Sequence, residues 1–181
     1  MDAKMQKEIT GKDSSILTGT LTNYNSMVFD QVLKNRSSVS RTKTNVTRKG
    51  NSRNANVTGV NISLYDKKNV HNLSLNGNYS SVWGKNGSYN GYTTYGSFSK
   101  VSGKLQYQFG SSVESDRYDP NDLGYLQNPN GYKYNGYVAY IINKANKKFL
   151  SQRYSINLSN IYLYKPFAWT SLEVNTSAFV L

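Results

Sequence analysis

The feature that most constrains this chain is a two-residue alternation that recurs along most of its length. In 72–79, Leu73, Leu75, Gly77 and Tyr79 share one parity, while Asn72, Ser74, Asn76 and Asn78 share the other. In 105–113, Leu105, Tyr107, Phe109 and Val113 alternate with Gln106, Gln108, Gly110 and Ser112. The same holds for Val60, Ile62 and Leu64, for Tyr154, Ile156 and Leu158, and for Leu172, Val174, Ala178 and Val180. Successive side chains of a strand point to opposite faces, so each run sets an apolar row against a polar one. No segment is convincingly helical. The one candidate, 25–34, alternates equally well through Met27, Phe29 and Leu33 and is read as a strand.

Turn chemistry falls between the runs: Asn35-Arg36, Lys49-Gly50-Asn51, Asp66 to Asn69, Gly84 to Gly87, Ser102-Gly103, Asp119 to Asp122, Asn128 to Gly131, and Asn143 to Lys148. These are the Gly, Asn, Asp and Pro clusters that reverse a chain. The strands they delimit are about 9–12 residues long, matching the ~9–11 a tilted transmembrane strand needs. Strands of soluble proteins average nearer five or six. The expected fold is therefore all-β: an antiparallel up-and-down meander, part of an outer-membrane β-barrel, which as a fragment is a curved open sheet. Residues 1–14 are polar and expected to be irregular, with the barrel portion spanning 15–181.

Composition supports strands with one wet face and one greasy face. The hydrophobic share is 37% and charged residues are only 18%, so Asn, Ser, Thr, Gly and 16 tyrosines make up the rest. A disordered chain would be poor in aromatics, and this one has 13%. With no cysteine, disulfides and thiol chemistry are excluded. A net charge of +12 suits an anionic partner such as lipopolysaccharide or an acidic glycan. No apolar run reaches the roughly 18 residues of a membrane helix, and the N-terminus lacks the apolar core of a secretory signal. The last stretch stops within an alternating run, so the chain reads as a fragment of something longer.

Several motifs resemble sites and have plainer explanations. Asn-X-Ser/Thr triplets such as those at Asn45, Asn56, Asn61, Asn72, Asn78 and Asn157 fall inside predicted strands, where polar-apolar-polar is the alternation again. His71 is the sole histidine and is read as a surface residue. Glu114, Asp116, Asp119 and Asp122 concentrate carboxylates near Asn121. Asp116, Asp119, Asn121 and Asp122 make a weak calcium candidate, and a glycosidase pair is conceivable, but a turn with Asx caps and Pro120 fixing φ accounts for the cluster. No catalytic, cofactor-binding or metal residue is assigned, and no cofactor is expected. Lys34, Arg36, Arg41, Lys43, Arg48, Lys49 and Arg53 form a basic stretch. A cation at the lipid midplane costs ~2–4 kcal/mol, which places Arg41 and Lys43 on a lumen or polar face. These bases lack the pattern of a nucleic-acid binder, so no nucleic acid is expected.

Two blocks carry a family resemblance. One runs from Leu21-Thr-Asn-Tyr-Asn-Ser-Met-Val-Phe-Asp-Gln-Val-Leu-Lys through Asn54-Ala-Asn-Val-Thr-Gly59. The other is Tyr118-Asp-Pro-Asn-Asp-Leu-Gly-Tyr-Leu126, followed by Leu163-Tyr-Lys-Pro166. Together they resemble the C-terminal barrel region of Bacteroidota outer-membrane proteins of unknown function, whose longer members carry a carbohydrate-binding family 9-like domain. The resemblance implies a bacterial outer-membrane location, with lipid or lipopolysaccharide and the missing strands of the full-length chain as partners. A glycan would be reached only through the domain absent here. The expected function is a structural or transport-related barrel segment, not an enzyme. The competing expectation is a secreted β-sandwich or adhesin-like module that binds anionic glycans.

Overall fold

The computed structural model describes residues 3–9, 12–50, 52–122, 124, 126, 129–145 and 149–181. Leu123, Tyr125 and Asn128, from the second family block and the turn after it, lie outside the described residues, as do Asn51 and Lys148. The elements are β1 (Ala3–Ile9), β2 (Lys12–Gly19), β3 (Thr22–Val32), β4 (Ser38–Arg48), β5 (Asn54–Tyr65), β6 (His71–Gly84), β7 (Gly87–Lys100), β8 (Leu105–Glu114), β9 (Gly131–Ile142), β10 (Gln152–Leu163) and β11 (Ala168–Val180). Strands β3 to β11 pair in chain order as one nine-stranded antiparallel sheet. It is an open meander, because β3 and β11 each have a single neighbour among the described residues. The segment 25–34 falls in β3, as its alternation predicted.

Residues 3–9 and 12–14 depart from the irregular segment expected over 1–14. Instead of an irregular lead-in, β1 and β2 form a separate antiparallel pair, with Met5 opposite Ile16 and Ile9 opposite Lys12. The alternation of Ala3, Met5 and Ile9 is interrupted by Lys7, which leaves too short a period for the pattern to stand out.

The turns follow from residues that tolerate positive φ. Asn35 and Arg36 sit at φ 56° and 59°, the left-handed pair that a type I′ hairpin requires. Ser37 N–H donates to the Lys34 carbonyl at 3.1 Å, closing that turn. At 66–70, the Asp66 carboxylate accepts from the amides of Val70 at 2.7 Å and His71 at 3.2 Å. Burial raises the Asp66 carboxyl, but these amides and the His71 ring lower it further, so it lies below the ordinary carboxylate value.

The register sorts the sheet into two unlike faces. One carries Val60, Ile62 and Leu64 opposite Gly77, Leu75 and Leu73. It continues through Phe98 and Phe109, then Val138, Ile156, Leu158 and Val174. The other carries Asn61, Asn76, Ser63, Ser74, Ser97, Gln108, Asn135 and Asn157. The glycosylation-like Asn61, Asn72, Asn78 and Asn157 stand on this second face, whereas Asn45 and Asn56 pair with each other on the first. The Asn76 amide donates to Asn61 Oδ1, and Asn72 Nδ2 donates to Ser63 Oγ at 2.9 Å.

Burial is inverted relative to a soluble sheet. Among strand residues, the buried ones are Val46, Ala55, Asn72, Ser80, Val82, Ser97, Ser99, Ala139 and Ser155, with Gly59 and Gly91 beside them. Every one lies on the polar face by register. The apolar face is open: Phe109 is 58% exposed and Leu158 46%. Contacts between strands occur only between sheet neighbours, so no second sheet packs on either face among the described residues.

Aromatic rings fringe the apolar face. Tyr132, Tyr134, Tyr162 and Phe167 cluster at one end, with Tyr132–Tyr134 centroids 4.8 Å apart and Tyr162 stacked on Phe167 at 5.0 Å. Tyr107, Tyr140 and Tyr154 lie towards the other end, with Phe109, Leu158, Val138 and Ile156 between and beside them. From Tyr132 to Tyr140 the strand advances about 26 Å at ~3.3 Å per residue.

The expectation for Arg41 and Lys43 is corrected here. Arg41 pairs with Val60 and Phe29, and Lys43 with Thr58 and Met27, so both stand on the apolar face. The polar face has no space for them at this point. A Cβ on Gly59 would come within 2.4 Å of Asn78 Oδ1 and 2.9 Å of Thr42 Oγ1. Small residues of β4, Thr42, Thr44 and Val46, fill that side, and the long flexible cations take the open one.

Candidate functional site

The connection from β8 to β9 is the longest in the sheet, and its first part turns back over the polar face. Ser115 anchors it to β7: its amide donates to the Tyr92 carbonyl at 2.9 Å, and its Oγ accepts from the Tyr92 amide at 2.8 Å. The Tyr118 amide then donates to the Ser115 carbonyl at 3.1 Å, tightening the turn. The backbone next passes so close to β7 that a side chain at Gly91 is impossible. A Cβ there would meet the Arg117 carbonyl carbon and the Tyr118 nitrogen at 2.2 Å. Beside it, buried Ser80 Oγ accepts from the Asp119 amide at 3.0 Å.

At its end the segment is held by charge. Arg53, in the connection between β4 and β5, donates through Nη2 to Asp119 Oδ2 at 2.7 Å and through Nε to Asp122 Oδ2 at 2.6 Å. Arg48, the last residue of β4, reaches Asp122 Oδ1 at 2.7 Å. Tyr89 donates its hydroxyl to Asp119 Oδ2 at 2.6 Å and accepts from Arg53 Nη1 at 2.9 Å. The Asp122 side chain is 8% exposed, against 45% for Arg53, so the carboxylate is the buried member and the guanidinium seals it. Burial pushes the Asp119 carboxyl up, but hydrogen bonds from Tyr89, Arg53 and the Asn121 amide, with the Arg53 charge, hold it at about 2. Burial lowers the Arg53 guanidinium, and its bonds to Asp119 and Asp122 more than reverse this, so it is raised overall.

Sequence reasoning identified both halves of this latch without joining them. The basic stretch contains Arg48 and Arg53, and the acidic cluster contains Asp119 and Asp122. The signal that joins them is topological. In a meander, the β4–β5, β6–β7 and β8–β9 connections all emerge at the same end of the sheet, so these segments meet. The rest of the basic stretch goes elsewhere: Arg36 lies over the Tyr65 ring at 5.2 Å, and Arg41 and Lys43 are on the apolar face.

The calcium candidate is not assembled. Asp119 and Asp122 give their oxygens to Arg53, Arg48 and Tyr89, and Asn121 Oδ1 accepts from the Leu126 amide at 2.6 Å. No group of three or more acidic or histidine side chains could hold a metal ion among the described residues. His71 stacks on Phe98 at 5.7 Å and faces Asp66 through Nδ1 at 3.2 Å, at the β5–β6 connection and so at the opposite end of the sheet from the latch. Beside Arg53 opens a hollow of about 300 Å³ walled by Trp83, Tyr89 and the turn from Gly84 to Gly87.

A family model described as a domain of unknown function, DUF5916, matches residues 1–181. No curated protein matches, and no solved structure matches.

Proposed function

The chain belongs to the DUF5916 family, and on that premise we propose that it forms part of the wall of a bacterial outer-membrane β-barrel. One observation carries the reading: the buried strand residues all lie on the polar face, while the aliphatic face is exposed in a single-layered sheet. Lipid outside and water inside favour that distribution, whereas a sheet in buffer would cover its aliphatic face. Strands of 10 to 14 residues in the nine-stranded sheet and tyrosines at both ends of the greasy band agree with it.

In this reading the polar face lines the lumen. The segment held by Arg48 and Arg53 folds inward over it and narrows the passage, which suits a structural or transport role. The open edges of β3 and β11 pair with further strands, because unpaired backbone groups in lipid cost several kcal/mol each. Glycan handling would come from a separate domain, and no residue of this sheet is assigned to it.

The test is to express the full-length gene and measure detergent dependence and heat-modifiable gel mobility. The reading predicts extraction only with detergent and a mobility shift on boiling. Recovery of a monodisperse protein without detergent would sink it.

A further inference from the structure

The apolar face of the nine strands carries no carboxylate, yet it carries cations: Arg41 and Lys43 side by side on β4, and Lys100 near the end of β7. Arg41 and Lys43 are both exposed, and neither has an ion-pair partner among the described residues. Two residues apart on one strand, they point the same way, with Cα atoms about 6.7 Å from each other. Around them lies a groove of about 520 Å³ lined by Met27, Phe29, Val39 and Val60. Along the ladder, Lys43 shares its row with Thr58, Tyr79 and Tyr92.

Two adjacent unpaired cations set in an aliphatic surface are expensive facing hydrocarbon and favourable facing an anion. The surroundings state what kind of anion fits. A free ion would leave the groove of Met27, Phe29, Val39 and Val60 uncovered, whereas an amphiphile fills both parts. We propose that Arg41 and Lys43 form a docking site for the phosphate headgroup of an anionic membrane lipid, whose acyl chains lie along that groove. The guanidinium offers paired donors that match phosphate oxygens, and the ammonium supplies a second point charge. This proposal rests on the membrane reading above and names the lipid that the wall selects.

The test compares the full-length protein with an Arg41→Gln/Lys43→Gln double variant, in detergent and then in phosphatidylglycerol or phosphatidylcholine vesicles. Native mass spectrometry reads the retained lipid. The wild type is expected to retain phosphatidylglycerol over phosphatidylcholine, and the double variant to lose roughly thirtyfold of that preference, about a factor of five per basic residue. Arg41→Lys keeps the charge and should retain most of the preference, while Lys100→Gln should leave it unchanged. Equal retention of the two lipids, or an unchanged preference in the double variant, overturns the proposal and leaves the barrel reading standing. Displacement of phosphatidylglycerol by millimolar inorganic phosphate would mark a free-anion site and overturn it equally. If the protein enters neither vesicle, the barrel reading falls and this proposal with it.

Discussion

Arg53 and Asp119 are separated by 66 residues, yet the guanidinium Nη2 of one lies 2.7 Å from Oδ2 of the other. That contact ties the β4–β5 connection to the β8–β9 connection across the intervening strands. It converts the start of a long loop into a fixed strap over the polar face.

Asp122 is the residue on which the strap most depends, because it accepts from both Arg48 and Arg53. Asp122→Asn should release 115–122 while leaving the sheet intact. The cost is about 1–2 kcal/mol, since the carboxylate is buried but both arginines are partly exposed. Hydrogen exchange should show protection lost at Tyr118 and Asp119 and kept in β6 and β7.

Gly91 offers a release that changes no charge. In Gly91→Ala the new methyl collides with the Arg117 backbone, which has no side chain to swing aside, so the strap must lift. The variant should show the same loss of protection as Asp122→Asn. Unchanged protection would place the strap elsewhere in solution.

The pH response follows from Asp119. Its folded carboxyl is held at about 2, below its ordinary value of 3.8. A depressed carboxyl means the released state binds more protons, so the stabilisation is present above about pH 4 and lost as pH falls towards 2. Strap protection followed by hydrogen exchange should be flat from pH 7 to 4 and then decline. A midpoint near pH 6 would contradict the assignment.

Much of this fold was legible because the alternation has a period of two and each run is long. Leu73, Leu75, Phe109, Ile156 and Leu158 announced their shared face before any register was known. Arg41 and Lys43 were misplaced for a physical reason. The cost of a cation in lipid argued for the polar side, but the crowding of Gly59 against Asn78 and Thr42 is a three-strand property invisible in one strand's sequence. The latch was illegible for a similar reason. Asp119 and Asp122 read as a turn in isolation, and only the common end of the even-numbered connections brings Arg48 and Arg53 to them.

The central claim, that lipid covers the apolar face and water the polar one, is tested most directly by two adjacent exposed residues of β10, Asn157 and Leu158. Arginine is placed at each in turn in the full-length protein, and folding into vesicles is titrated with urea. For a sheet in water both substitutions are surface changes within about 0.5 kcal/mol of neutral. The account predicts that Asn157→Arg folds like the wild type and Leu158→Arg loses ~2–4 kcal/mol. Equal tolerance of the two would contradict it.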